Sequence, residues 1–346
     1  MAATPSLPSD GLSRFLAAES GASAVAITRC ERLRGGAVAE NWALDALFSG
    51  GAYAGEARLV LRAPAATRIS SSLSPLAEFA LLKAAFAAGV KVPEPLFASA
   101  EEGICGRPFL VMRRLDGSAI AQRITRDPKV DAVSAALAEA LGRELARIHR
   151  IRPPRPDLAF LAPYEENLPL RQIARFRSYL DRHERPRPVL EWAMAWLEAH
   201  LPPLCEPVLC HRDFRTGNYL LDGTRLTGIL DWEFAGWGDA HEDIGWFCSK
   251  GWRFARLDRE AGGIAERAPF YRGYEAEAGR AVEEGRVRFW EILASVRWAV
   301  IALEQSERYM KGGEKNIDLA LTGRRASECE LELLMLLDPE GAPANA

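Results

Sequence analysis

In the first third of the chain, apolar residues alternate with polar ones in short runs. Residues 23–33, and a second run ending at Phe48, predict two strands flanking Gly35 and Gly36. ARLVLR, residues 57–62, predicts a third strand. Ser74 and Pro75 open a helical pattern that runs to Ala88, with Ser74 as N-cap, Pro75 in the first turn and Gly89 past the end. VKVPEPLFAS is extended, because each proline biases its predecessor away from the α region. FLVMR, residues 109–113, predicts a further strand, with LDG turning after it. Near 115–117 the period changes. Residues 133–151, 188–200, 283–310 and 326–337 carry apolar positions at helical spacing, and the Pro/Arg-rich IRPPRPD separates the first two. One β-type island interrupts the helices: VLCHRDF, YLLDGTRLTGILDW and FAGWGDAHED follow each other closely. YLL and RLTGILD flank Asp222-Gly223, a hairpin signal. No internal repeat is evident, and the two ends read as frayed tails.

Composition narrows the class. The 346 residues are enough for two sizeable cores without disulfides or a structural metal. A formal charge of -3 provides no chain-wide basic field for nucleic acid or an anionic membrane. The six cysteines are scattered, with no CxxC pair and no histidines at zinc-ligand spacing, so they read as reduced thiols. The N-terminus lacks a basic stretch followed by an apolar core, and no run approaches 18 apolar residues without a charge. A soluble, cytoplasmic protein that binds neither membrane nor nucleic acid is the expectation.

Chemistry concentrates between His211 and Glu233. His211-Arg212-Asp213-Phe214-Arg215-Thr216-Gly217-Asn218 fits the pattern HRDxxxxN of kinase catalytic loops, and Asp231 ends the hairpin that follows. Phosphoryl transfer to a hydroxyl needs a carboxylate near the attacking oxygen and oxygen ligands for magnesium. Asp213, Asn218 and Asp231 supply those groups, and His211 orients the loop. Glu233, two residues beyond Asp231, faces the same side of an extended backbone, either to meet a second metal or to serve structure alone. HxD with a following Asn is a short motif, and both residue types are common in turns. Asp231 weighs against a chance match, because a carboxylate after a mainly apolar strand needs a partner.

The upstream region carries candidate nucleotide contacts. LRGGAVAEN, ending at Asn41, lies between two predicted strands, so Gly35 and Gly36 either approach phosphate oxygens or simply turn the chain. It matches neither GxGxxG nor a Walker A loop. Arg62 ends the third strand and Glu78 lies in the next helix. They read either as a phosphate-anchoring pair or as unrelated surface groups.

Taken together, the paired glycines, LVLR, EF in the following helix, PFLVMRRLDG, LARIH, HRDFRTGN and ILDWEFAGWGDAHEDIGW resemble the aminoglycoside phosphotransferase and choline kinase superfamily over about nine-tenths of the chain. The resemblance is closest to the branch related to the kinase-like N-terminal region of certain acyl-CoA dehydrogenases. It implies an α+β, bilobal protein-kinase-like fold. Residues 1–113 would form a small β-rich, nucleotide-binding N-lobe, and 114–346 a larger, mainly helical C-lobe. It also implies ATP and Mg2+ as cofactors and transfer of the γ-phosphate to a hydroxyl of a small molecule, such as a hydroxyacyl thioester. By matching position, Asp213 is similar to the catalytic base, Asn218 and Asp231 to the metal ligands, and Arg62 and Glu78 to the phosphate-anchoring pair. Val111 and Met112 fall at the adenine hinge. Asp243 resembles the acid that braces the catalytic loop, a helix N-cap being the simpler alternative. Arg212 stands where the family usually has glycine, and Ala37 and Val38 where a serine often follows the paired glycines. An aminoglycoside 3'-type phosphotransferase and a catalytically silent nucleotide-binding module are the competing expectations. For the acceptor, Glu233, Trp237, His241 and the stripe Trp290, Arg297, Trp298 and Glu304 are candidates, although aromatic residues on a long helix are more often core.

Overall fold

The computed structural model describes residues 9–33, 39–64, 73–164, 168–314 and 316–338. The chain forms two compact units, one of Met1–Ser118, Pro154–Leu161 and Tyr219–Ala235, the other of Ala119–Pro153, Ala162–Asn218 and Gly236–Ala346.

The first unit is built on an antiparallel sheet of β1 (Ala24–Arg32), β2 (Ala39–Ser49), β3 (Gly55–Pro64), β4 (Pro95–Ser99) and β5 (Phe109–Arg113), in the order β1-β2-β3-β5-β4. Period-two alternation sends Trp42, Leu44, Leu59 and Leu61 into a core with Phe97, Phe109 and Val111. Helix α1 (Ser9–Ser20) covers that core with Leu12 and Leu16. Arg62, one residue beyond Leu61, therefore projects from the other face, where helix α2 (Pro75–Ala87) supplies Glu78. Ser74 caps α2 by accepting from the Ala77 amide at 3.2 Å, and Pro75 begins the helix. The hairpin Tyr219–Asp222 with Arg225–Ile229 belongs to this unit. Its two-residue turn is Gly223-Thr224 rather than Asp222-Gly223, since Asp222 pairs with Arg225 and Gly223 takes the positive φ of 61°.

The second unit is helical. The 27-residue helix Glu284–Met310 runs through its core, with Trp290, Leu293, Val296 and Val300 against Ile173 and Phe176 of Leu168–Leu180, Leu190 and Met194 of Pro188–Ala199, and Leu333 of Arg325–Leu337. Helices Ser134–His149 and Arg267–Ala278 pack backbone against backbone. A Cβ added at Gly273 would lie 2.0 Å from the Glu139 carbonyl oxygen, and one at Gly142 would lie 2.2 Å from that of Phe270. Because neither carbonyl can yield without moving its helix, Gly273→Ala is expected to destabilise the protein by about 1–3 kcal/mol, measured by urea denaturation. A neutral result would mean that the helices slide apart freely. The short strands Val208–Cys210 and Gly236–Gly238 pair antiparallel, and His211 follows the first directly.

No helix among the described residues is long and apolar enough to cross a membrane. The six cysteines are free thiols, and burial pushes Cys248 and Cys329 up to about 12.

Candidate active site

In the first unit, charge converges on Arg62. Its Nε donates to Glu78 Oε2 at 2.9 Å and its Nη2 to Asp231 Oδ1 at 2.8 Å, and Glu233 Oε2 stands 3.9 Å away. Burial disfavours the guanidinium charge, but Glu78, Asp231 and Glu233 outweigh it and hold the arginine above its ordinary value. Burial also raises Glu78, partly offset by Arg62. One cation thus faces three carboxylates, an arrangement that carries surplus negative charge and offers oxygens to a further cation.

The backbone brings Asp231 and Glu233 together differently from the extended run expected. Asp231 has φ 68°, and the chain turns at 233–234. The fully buried Trp232 anchors this turn, its indole N–H donating to the Ile229 carbonyl at 3.3 Å, while the Leu73 amide donates to the Glu233 carbonyl at 3.0 Å. A left-handed non-glycine residue costs on the order of 1 kcal/mol, and Asp tolerates it better than most. Alternation read from the sequence could not anticipate it.

In the second unit, the loop after Val208–Cys210 presents Asp213. Its carboxylate receives Trp246 Nε1 at 3.0 Å, Asn218 Nδ2 at 2.5 Å and Arg215 Nε at 3.1 Å. Asn218 Nδ2 also donates to the Asp213 carbonyl at 2.9 Å, which leaves its amide oxygen as the group able to meet a cation. His211 is fully buried, accepts from the Asp213 amide at 3.3 Å through Nδ1, and packs edge-on against Phe214. It holds the loop.

Asp243 explains how Arg212 fits where the resembled family usually has glycine. Arg212 has φ 62°, the left-handed conformation that glycine adopts without penalty. The Asp243 carboxylate accepts the amides of His211 and Arg212, each at 2.6 Å, and His149 Nε2 at 3.1 Å, while Arg212 Nη2 reaches the Trp237 carbonyl at 2.7 Å. These bonds fix the strained residue. Burial pushes His149 down, so its neutral ring donates to Asp243 and accepts from the Tyr274 hydroxyl. Although burial opposes it, these donors hold Asp243 below its usual range. Asp239, not Asp243, caps helix Ala240–Cys248, accepting from the His241 amide at 2.9 Å. His149, Cys210 and Asp243 lie close enough to hold a metal ion, but both ring nitrogens and the carboxylate are already engaged.

The remaining expectations divide. Gly35 and Gly36 lie outside the described residues. Asn41 sits opposite Arg62 in the β2–β3 register. Val111 and Met112 do not end the sheet: Val111 pairs with Leu61 and Phe97, and Met112 with Val60 and Pro95, so both belong to an interior strand. Of the aromatic stripe, Trp290 is core and donates to Asp239 at 3.1 Å, whereas Trp298 is half-buried against Trp252. Arg215 and Trp246, both on Asp213, went unrecognised. The signal for Arg215 was a basic residue two positions after the loop aspartate. Trp246 had no signal beyond its place in the motif.

A model of the phosphotransferase enzyme family matches residues 29–285. Mouse acyl-CoA dehydrogenase family member 10 is 28% identical over 198 residues, 55% of this chain and 18% of that protein. Chicken acyl-CoA dehydrogenase family member 11 is 30% identical over 178 residues, 48% of this chain and 22% of that protein. The chain therefore spans about a fifth of these relatives' length. Viomycin phosphotransferase of Streptomyces vinaceus is 28% identical over 170 residues, 45% of this chain and 55% of that one. Among solved structures, a protein assigned to the aminoglycoside phosphotransferases from Ralstonia eutropha superposes with a TM-score of 0.76 at 20% identity, over 96% of this chain and 99% of that one. The gentamicin complex of APH(2″)-IIa gives 0.60 at 15%, over 95% and 97%. The fold is the protein-kinase-like α+β fold of these neighbours. By the extent of the family match, which takes in Arg62, Glu78, Asp213, Asn218 and Asp231, the chain belongs to the phosphotransferase enzyme family.

Proposed function

We propose that the protein is an ATP-dependent kinase that transfers the γ-phosphate to a hydroxyl group of a small molecule, an acceptor such as a hydroxyacyl thioester. The observation that carries this reading is the Asp213 carboxylate, oriented by Trp246, Asn218 and Arg215 on the loop after Val208–Cys210. Asp213 accepts the proton of the attacking hydroxyl, and His211 keeps the loop in register. Arg62, steadied by Glu78, anchors the α and β phosphates. Gly35, Gly36 and Asn41 contribute the phosphate-facing segment.

Asn218 and Asp231, with Glu233, are the residues proposed to hold Mg2+. Their donor set of amide and carboxylate oxygens suits a hard cation. When bound, the ion neutralises phosphate charge. Val111 and Met112, on β5, border adenine, and the segment leaving β5 presents backbone groups to it. The kinase acts in the cytoplasm. The aminoglycoside kinases among the structural neighbours bind drugs such as gentamicin, but the mixed basic and aromatic helix Glu284–Met310 does not favour a polycation.

Mg-ATP is expected to raise the melting temperature of the wild type, and Asp231→Ala to abolish the rise. Differential scanning fluorimetry with and without Mg2+ measures both. No rise in the wild type would remove the nucleotide site.

A further inference from the structure

Several buried or half-buried arginines are paired: Arg62 with Glu78, Arg253 and Arg267 with Glu291, Arg286 with Asp239. Arg297, midway along helix Glu284–Met310, is half-buried and differs. Among the described residues it has no hydrogen-bond or ion-pair partner, and its contact is a stack, with the guanidinium carbon 4.3 Å from the centroid of the Trp246 ring. The same indole donates through Nε1 to Asp213 Oδ1 at 3.0 Å. One aromatic ring thus separates a guanidinium with open donors from the carboxylate assigned to the acceptor hydroxyl.

The carboxylates near that guanidinium are each engaged by other groups. Glu242 is buried, takes Gln172 Nε2 at 3.3 Å on Oε1, and stands with Oε2 3.5 Å from Arg212 Nε. Arg212 is the cation it meets. Asp213 is engaged by Arg215 and Asp243 by backbone amides and His149. Burial lowers Arg297 from its ordinary value, and Glu242 and Asp213 only partly oppose this. Arginine nonetheless stays charged, and the contact with the Trp246 ring leaves its fork of donors available for two-donor recognition of a carboxylate or phosphate.

We infer that Arg297 anchors the acceptor by binding an oxyanion, a carboxylate or phosphate group, on the alcohol whose hydroxyl meets Asp213. The inference rests on the phosphotransferase reading above and names its substrate class as anionic alcohols. In the transfer, the acceptor oxygen forms a bond to the γ-phosphorus and the bond to the bridging oxygen breaks. The electron pair leaves with ADP, and the hydroxyl proton passes to Asp213. Arg297 only binds.

The test compares wild type, Arg297→Gln and Arg297→Lys. A Mg-ATP melting shift retained in all three shows that fold and nucleotide site are intact; its absence in the wild type would instead be a failure of the phosphotransferase reading. ATP consumption is then followed with 3-hydroxybutyrate, its coenzyme A thioester, glycerol 3-phosphate, 1,3-butanediol and gentamicin, which separate carboxylate, phosphate, neutral and cationic acceptors. Anionic members are expected to be used preferentially. Arg297→Gln should raise their KM by about 10- to 100-fold with kcat little changed, and Arg297→Lys should recover part of the loss. A stack of purely structural value would not produce that split. Preference for the diol or gentamicin overturns the inference, as does a KM unmoved by Arg297→Gln. It is equally overturned if no anionic member is consumed and none raises the wild-type melting temperature.

Discussion

Asp213→Asn is expected to lower phosphate transfer by about 10²- to 10⁴-fold while leaving Mg-ATP binding close to that of the wild type. The size follows from what the substitution removes. In the wild type, three donors, from Trp246, Asn218 and Arg215, aim at one carboxylate. An asparagine there keeps the shape but has no basic oxygen to accept a hydroxyl proton. Its amide hydrogens must also face at least one of those donors. The loop itself should persist, because His211, Asn218 and Asp243 also hold it through the backbone. Single-turnover kinetics, paired with the Mg-ATP melting shift, separates loss of chemistry from loss of binding. Turnover within a few-fold of the wild type would remove Asp213 from the role of base.

How far the sequence foretold this arrangement depended on the kind of signal each segment carried. The β3 strand and the helix from Pro75 were legible because one face of each is buried and their ends carry turn and cap residues. Arg62 and Glu78 could be named because strand alternation and helix position are local rules. The sequence of helix Ala240–Cys248 reads instead as part of a β-type island. All nine of its residues are buried, so it has no polar face to set a period of 3.6. Helix Ser9–Ser20, which covers the sheet core, was also missed at the edge of a presumed tail. The positive φ of Arg212 and of Asp231 was invisible for another reason. Each is held by bonds to residues distant in sequence, Asp243 for the first and Arg62 for the second. Arg297 was named only as one of a mixed stripe, since nothing in a helical period reveals which arginine lacks a partner.

Asp243→Ala is expected to cost about 3–5 kcal/mol of stability, because three buried donors lose their acceptor at about 1–3 kcal/mol each. An ordinary buried helix position would cost about 1 kcal/mol, so the magnitude decides between the two. Asp243 is fully buried, and its loss leaves the amides of His211 and Arg212 and the His149 ring without their acceptor. Arg212 would also be released from its left-handed conformation, which no other backbone contact of that amide maintains among the described residues. In a melting experiment the loss corresponds to a fall on the order of 10 °C. Asp243→Asn should lie between, because one amide oxygen can accept while the NH2 group meets another donor. The pH dependence gives a second check. The folded pKa of Asp243 is depressed, so its contribution is present above the unfolded value and is lost as pH falls through the folded one. The gap between wild type and Asp243→Ala should therefore hold above about pH 4 and close as the solution becomes more acidic. A loss near 1 kcal/mol, unchanged across that range, would mean that the loop is held by His211 and Asn218 and that Asp243 is an ordinary buried helix residue.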